Sequence, residues 1–339
     1  MITVALIGSE TLMGREIRDI VATSSPGFDL RLIASEDEKA GTLTRLGDEP
    51  AVVEGLVPVS LAGARAVFLA GSEEANRKAV ELADPGTLII DLTGANEERP
   101  DARLRAPLLE SEIDEPEVEA EGEAGESGVH VIAHPAAIAL ALFLRRLQTH
   151  DPIRRSVIQI FAPASEHGTV GVEELQQQTV SLLSFKNMPR GVFDSQLSFN
   201  LLPRYGEEAP AALEETELRI ERHLATLLAL PGDGEGAAPP SLRLIQAPVF
   251  HGYSFSAWVE FEGNPGVEAL ESGLVTSSIE VRGMEVEPPT NVGQAGQGGI
   301  AVGAITPDRN DPEACWFWMV TDNLRLAAEN AVAVARQLV

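Results

Sequence analysis

Along the first 150 positions, short runs that are apolar on both faces alternate with stretches whose apolar residues recur at helical spacing. The runs are ITVALIG (2–8), LRLIAS (30–35), AVFLAG (66–71), LIIDLTG (88–94) and VHVIA (129–133). Between them lie LMGREIRDIVATS (12–24) and EEANRKAVELA (73–83). Strands without a polar face belong in a sheet covered on both sides, and their alternation with helices makes that sheet parallel. Beyond residue 150 the order changes: SVIQIFAPA (156–164), then helical patterns over 170–185 and 213–231, then the strands LRLIQAPVF (242–250), YSFSAWVEF (253–261) and CWFWMVTD (315–322). This half reads as an α+β domain on an antiparallel or mixed sheet, closed by an amphipathic, Ala-rich terminal helix over 323–339.

Composition narrows the function. The 339 residues carry 52 Asp and Glu against 25 Lys and Arg, a formal charge of −27. Nucleic acid and anionic membranes both recruit clustered cations, so neither is an expected partner. A single Cys excludes a disulfide framework and a multi-Cys metal site, and no metal is expected. Met1 runs straight into a strand without a basic leader, which points to the cytoplasm. IALALFL (138–144) ends at Arg145 and Arg146, far short of the ~20 apolar residues a spanning helix needs. Residues 110–126, crowded with carboxylates, read as a solvated loop, and PGDGEGAAPP (231–240) as a turn-rich linker.

The first strand ends in a glycine loop. In VALIGSETLMGREI, Gly8 closes the strand and Gly14 lies inside the next helix, where a βαβ unit lets backbone N–H groups approach a pyrophosphate. The full G-x-G-x-x-G pattern is absent, so a tight turn and close helix packing explain the two glycines equally well. Glu10 stands where phosphates would lie and is expected to repel them by a few kcal/mol, at an effective dielectric of ~20, unless it points away. After the second strand, Glu36, followed by Asp37, is placed to accept a ribose hydroxyl and to disfavour a 2′-phosphate, which makes NAD the expected cofactor rather than NADP.

These stretches, with LIASEDEKAG, GTLIIDLTGAN, VIAHPAAIALAL, HGTVGVEELQQQTVSLL, FDSQLSFNLLP, LIQAPVFHGYS and FWMVTDNLRLAAENAVAVA, run in the order of one family. The sequence resembles aspartate-semialdehyde dehydrogenases, and among them the Usg-type paralogues. The resemblance implies a Rossmann-like dinucleotide-binding domain over 1–135, completed by helix 323–339, and an α+β substrate and dimerisation domain over 136–322, assembled as a homodimer. It implies dinucleotide contacts from Gly8, Thr11, Leu12, Met13, Gly14, Ser35, Glu36, Gly71, Ser72 and Asn323.

The family reduces an acyl phosphate through a Cys thioester, which needs a thiolate, an acid/base His, an orienting Gln and Arg groups for the anions. On the matching positions this chain carries Ala137 for the nucleophile, Ala162 for the Gln, Tyr253 for the His, and Gln246 and Glu97 for the two Arg. Cys315, in a strand-like run beside Trp316, reads as a core residue. The expectation is a homologue without thioester chemistry: a regulatory or weakly NAD-binding homodimer that takes a small-molecule ligand.

The alternative is an oxidoreductase that needs no Cys. There Tyr253 would protonate a carbonyl, provided a nearby cation lowered its pKa, and Tyr253, His251 and His167 would converge on one pocket. His251 lies on the face of Tyr253 if the strand is regular, and serves either as a stand-in base or structurally. Glu166 and His167 form either a different polar site or a solvated helix start.

Overall fold

The computed structural model describes residues 1–24, 27–35, 38–112, 128–231 and 237–339. Glu36, Asp37, most of the acidic segment and half of the 231–240 linker lie outside the described residues. The chain divides into two compact units, Met1–Ala133 with Ala327–Val339, and His134–Leu326.

The first unit contains β1 (Ile2–Ile7), α1 (Leu12–Ser24), β2 (Phe28–Ile33), β3 (Leu43–Leu46), β4 (Glu49–Val52), α2 (Pro58–Leu61), β5 (Ala66–Leu69), α3 (Glu73–Leu82), β6 (Leu88–Asp91), β7 (Ala102–Arg105), α4 (Pro107–Glu110) and β8 (Val129–Ile132). Six strands form one parallel sheet in the order β2-β1-β5-β6-β8-β7, and β3 and β4 make a separate hairpin. Every residue of β5, β6 and β8 is buried, as apolar runs in a doubly covered sheet require. β7 is the edge, and Arg103 and Arg105 alternate with apolar residues because only one of its faces is packed. The chain steps from β1 to β2 on one side and returns to β5 on the other. The carboxyl ends of β1 and β5 are therefore the switch point at which such sheets open a ligand crevice.

The second unit contains α5 (Pro135–His150), β9 (Ile153–Ala162), α6 (Gly168–Leu183), α7 (Leu213–Leu228), β10 (Ser241–Gln246), β11 (Tyr253–Phe261), α8 (Val267–Leu274), β12 (Ile279–Arg282), α9 (Asn291–Gln294), β13 (Ile300–Pro307) and β14 (Ala314–Thr321). Its sheet is mixed, in the order β10-β9-β11-β14-β13-β12, antiparallel at the centre and parallel at both edge pairs. The last helix, α10 (Asn323–Leu338), starts in this unit, where Asp322 Oδ1 accepts the N–H groups of Leu324 and Arg325 as its cap.

Helix α5 is buried from Ala136 to Leu144, which makes the apolar run 138–144 the middle of a core helix. The two arginines that end that run cap its neighbours. Arg145 reaches the carbonyls of Leu227, Leu228 and Leu230 at the end of α7, and Arg146 donates to Gly273 O in the last turn of α8. A cation on exposed C-terminal carbonyls satisfies acceptors that the helix itself leaves open. Among the described residues, no helix is long and apolar enough to cross a membrane.

Candidate functional site

In the first unit the loop between β1 and α1 folds tightly onto itself. Gly8 has φ +76°, and a Cβ there would come within 2.5 Å of the Gly71 backbone; a Cβ on Gly14 would stand 2.0 Å from Gly8 O. Both glycines are thus required by backbone packing at the switch point. Thr11 locks the turn: its hydroxyl donates toward Gly8 O at 2.8 Å, with Ala70 O at 3.0 Å, and accepts the Gly14 N–H at 3.0 Å. The other loop donors are held by neighbouring side chains, Gly71 N by Asn76 Oδ1 at 3.1 Å and Ser72 N by Ser35 Oγ at 2.9 Å. The N–H groups of Leu12 and Met13 open α1 and belong to the orphan donors of any helix start.

Glu10 meets the exception allowed for it, since it is turned to cations of α1. Its carboxylate pairs with Arg18, with Arg15 at 3.7 Å, so its charge is spent on α1. The carboxylate that reaches the loop backbone is Glu38, which accepts from Glu10 N at 2.8 Å and Ser35 N at 3.0 Å. Burial pushes the Glu38 carboxyl up, against the pull of these hydrogen bonds. At the end of β6, buried Asp91 gathers the N–H groups of Thr93, Gly94 and Asn96, and Glu97 closes that turn through its N–H to Gly94 O.

In the second unit two side chains meet on Glu166. His134, the N-cap of α5, accepts the Ala136 N–H on Nδ1 at 3.2 Å. Its ring proton therefore sits on Nε2, which donates to Glu166 Oε1 at 3.0 Å. The Tyr253 hydroxyl donates to Glu166 Oε2 at 2.8 Å, and its ring stands edge-on to His134. Burial alone raises a carboxyl; here the attraction of His134 and the hydrogen bonds from His134 and Tyr253 outweigh it and bring Glu166 down to about 2. Burial and the Glu166 charge push the Tyr253 phenol far up.

A second chain of bonds runs beside the first. Tyr205 spends its proton on Gln246 Oε1 at 2.7 Å, so His167 donates Nε2–H to the Tyr205 oxygen at 2.7 Å. Burial drives His167 towards the neutral form. The Gln246 amide nitrogen completes the network on the carbonyls of Ala162 at 2.9 Å and Ala247 at 3.2 Å.

Four of the five substituted positions fall in the second unit: Ala137 in the buried first turn of α5, Ala162 at the end of β9, and Gln246 and Tyr253 inside the networks just described; Glu97 lies in the first. The premises of the Cys-independent alternative are corrected. Tyr253 is pushed up instead of down, and His167 turns to Tyr205 instead of Tyr253. His251 precedes β11 across Gly252, whose φ of +83° breaks the strand alternation that would have put it on the face of Tyr253. Asn323 Oδ1 is taken by Gly252 N at 3.0 Å and Ser165 Oγ at 3.2 Å in the second unit, whereas Gly8, Thr11, Leu12, Met13, Gly14, Ser35, Gly71 and Ser72 lie in the first.

Cys315 is buried against Asn264, at 3.5 Å from its amide nitrogen, and burial pushes its thiol up. It pairs with Val259, whereas Tyr253 pairs with Thr321. Six strand positions at ~3.3 Å each put about 20 Å between the only thiol and the Glu166 network. Among the described residues, no group of three His, Cys, Asp or Glu is placed to hold a metal.

Sequence reasoning missed His134, Tyr205 and Glu38. The signal for His134 was present: Pro135 is the first helical residue, which makes the residue before it the cap.

Residues 144–326 match the model of the semialdehyde dehydrogenase dimerisation domain. The chain belongs to the semialdehyde dehydrogenase family. A USG-1 protein homolog of Pseudomonas aeruginosa is 30% identical, covering 100% of this chain and 98% of its own. The aspartate-semialdehyde dehydrogenase of Rickettsia bellii is 25% identical over 99% of this chain and 97% of its own. The structure of a probable aspartate-semialdehyde dehydrogenase from Pseudomonas aeruginosa matches with a TM-score of 0.82 at 28% identity, covering 99% of this chain and 98% of that one. Both halves thus have the family fold, a Rossmann-like parallel sheet and a mixed-sheet dimerisation domain.

Proposed function

We propose that this member of the semialdehyde dehydrogenase family forms no acyl thioester and acts as a regulatory homodimer that retains a weak NAD site and takes a small-molecule ligand. The observation that carries the reading is the Glu166 network. Where the resemblance puts a His and an Arg, Tyr253 and Gln246 are buried and bonded to other protein groups, and where it puts the nucleophile, Ala137 offers a methyl. A methyl cannot attack an acyl phosphate, and a neutral amide bonded on both ends cannot hold a substrate carboxylate. His134, the nearest imidazole to Ala137 in sequence, has both ring nitrogens committed.

The weak NAD site rests on the tight glycine turn, on the N–H groups of Leu12 and Met13, and on the acid after β2. The homodimer rests on the matched dimerisation domain. A cytoplasmic setting suits a lone thiol buried without a disulfide partner.

The test is incubation of the full chain with aspartate semialdehyde, phosphate and NAD or NADP while nicotinamide absorbance is followed. We expect no turnover above the buffer blank, and none after Ala137→Cys, because the restored thiol gains no free base. Turnover by the unaltered chain overturns the proposal. All three tryptophans, Trp258, Trp316 and Trp318, sit in the second unit, so binding is better followed by the fluorescence of NADH itself.

A further inference from the structure

We propose that Glu38 selects the nucleotide: its carboxylate is a built-in anion on the loops after β1 and β2, which accepts an adenosine ribose with a free 2′-hydroxyl and rejects one carrying a 2′-phosphate. The inference rests on the dinucleotide reading of this loop.

β1 and β2 run parallel in register, Ile7 beside Ile33, so the loops that follow them emerge side by side. Glu38 ties those loops together, one oxygen on Glu10 N at 2.8 Å and the other on Ser35 N at 3.0 Å. Three more donors around the switch point are held by neutral groups: Gly14 N by the Thr11 hydroxyl, Gly71 N by the Asn76 amide oxygen and Ser72 N by the Ser35 hydroxyl. Among the described residues, Glu38 is the side chain that brings net charge to these N–H groups, since the Glu10 carboxylate is turned to Arg18.

A carboxylate held by the N–H groups of Glu10 and Ser35, with a lesser pull from that of Thr11, keeps lone pairs for further donors, and a ribose diol supplies donors. A phosphate supplies only acceptors and a second negative charge. Burial and the nearby Glu10 already press on the Glu38 carboxyl, so a further anion is added to a site under load. The sequence pattern gives this discrimination to Glu36; the hydrogen bonds give it to Glu38.

The full chain is titrated with NADH and with NADPH, and nicotinamide fluorescence is read. The unaltered protein is expected to bind NADH at least tenfold more tightly than NADPH. Glu38→Ser, which removes the charge and leaves a hydroxyl, and Glu38→Gln, which keeps the size and one acceptor, should each narrow that ratio about tenfold, through tighter NADPH binding. Two variants guard against misfolding of either one, and thermal melting checks both. NADH bound by all three proteins with an unchanged ratio overturns the role of Glu38 and leaves the dinucleotide reading standing. Silence of all three towards both nucleotides overturns the two together.

Discussion

Around the loop after β1 the donors are backbone N–H groups and the acceptors are single side chains, some from nearby sequence, Thr11 three residues from Gly14, Asn76 five from Gly71 and Glu38 three from Ser35, and some from the next loop, Glu38 at 28 residues from Glu10 and Ser35 at 37 from Ser72. Around Glu166 the main partners are side chains drawn from far along the chain, His134 at a separation of 32 residues and Tyr253 at 87. Each backbone donor can change partners without moving, so a ligand with a better acceptor would displace the loop's side chains. The Glu166 network has no such freedom, because tautomer and hydroxyl orientation fix every bond in one direction. One region is held like a site that can exchange partners, and the other like a core.

The largest effect should come from breaking the second region. Glu166→Leu leaves the His134 Nε2–H and the Tyr253 hydroxyl buried without an acceptor, at about 1–3 kcal/mol each, and removes the bridge between α5 and β11. The expected loss is about 3–5 kcal/mol, read as a fall of about 10 °C in the melting of the second unit. A change of less than 2 °C would mean the network is ornamental, and the contrast with the loop would fail.

Acid sharpens the same contrast. Glu166 titrates at about 2 in the folded chain against an ordinary 4.5, so its contribution is complete above pH 4.5 and is lost as pH falls towards 2. At about 1.4 kcal/mol per pH unit, that is about 3 kcal/mol. His167 adds an earlier leg: burial holds it below its usual 6.5, so the unfolded chain takes the proton first and stability declines as pH drops through 6.5. Denaturant melts from pH 7 to 2.5 should show both legs, and Glu166→Gln should flatten only the lower one.

The difference between the regions also explains what could be read before the fold was known. The parallel sheet announces itself through β5, apolar throughout, and through β6 and β8, apolar but for Asp91 and His130, and α1 through helical spacing bounded at Leu12 and Ser24. The β3–β4 hairpin was equally legible from its two-residue Gly47-Asp48 turn, yet the exposed residues of both strands mask it as loop. Glu166 stood out as polar at a helix start, but nothing local names its partners. A bond spanning 87 residues follows from the order β9-β11-β14, which no pattern of hydrophobic positions supplies. Glu38 was passed over because the spacing of a nucleotide fold favours the earlier acid, and three residues from Ser35 are needed before a side chain can fold back onto that N–H.

The smallest expected effect tests the loop from its other carboxylate. Glu10 and Glu38 are in electrostatic contact, and charge alone would make either one hostile to an anionic ligand. Geometry separates them: Glu10 gives its oxygens to Arg18 and Arg15, whose charges offset part of its field on an approaching anion, whereas Glu38 faces the loop with no cation bonded to it among the described residues. Glu10→Gln keeps an acceptor for Arg18 and should cost less than about 1 kcal/mol, as partly exposed ion pairs do. It should also leave the NADH-to-NADPH affinity ratio within twofold of the unaltered protein. If it instead shifts that ratio as far as Glu38→Gln does, the selection comes from the summed charge of the loop and not from the group that holds its backbone.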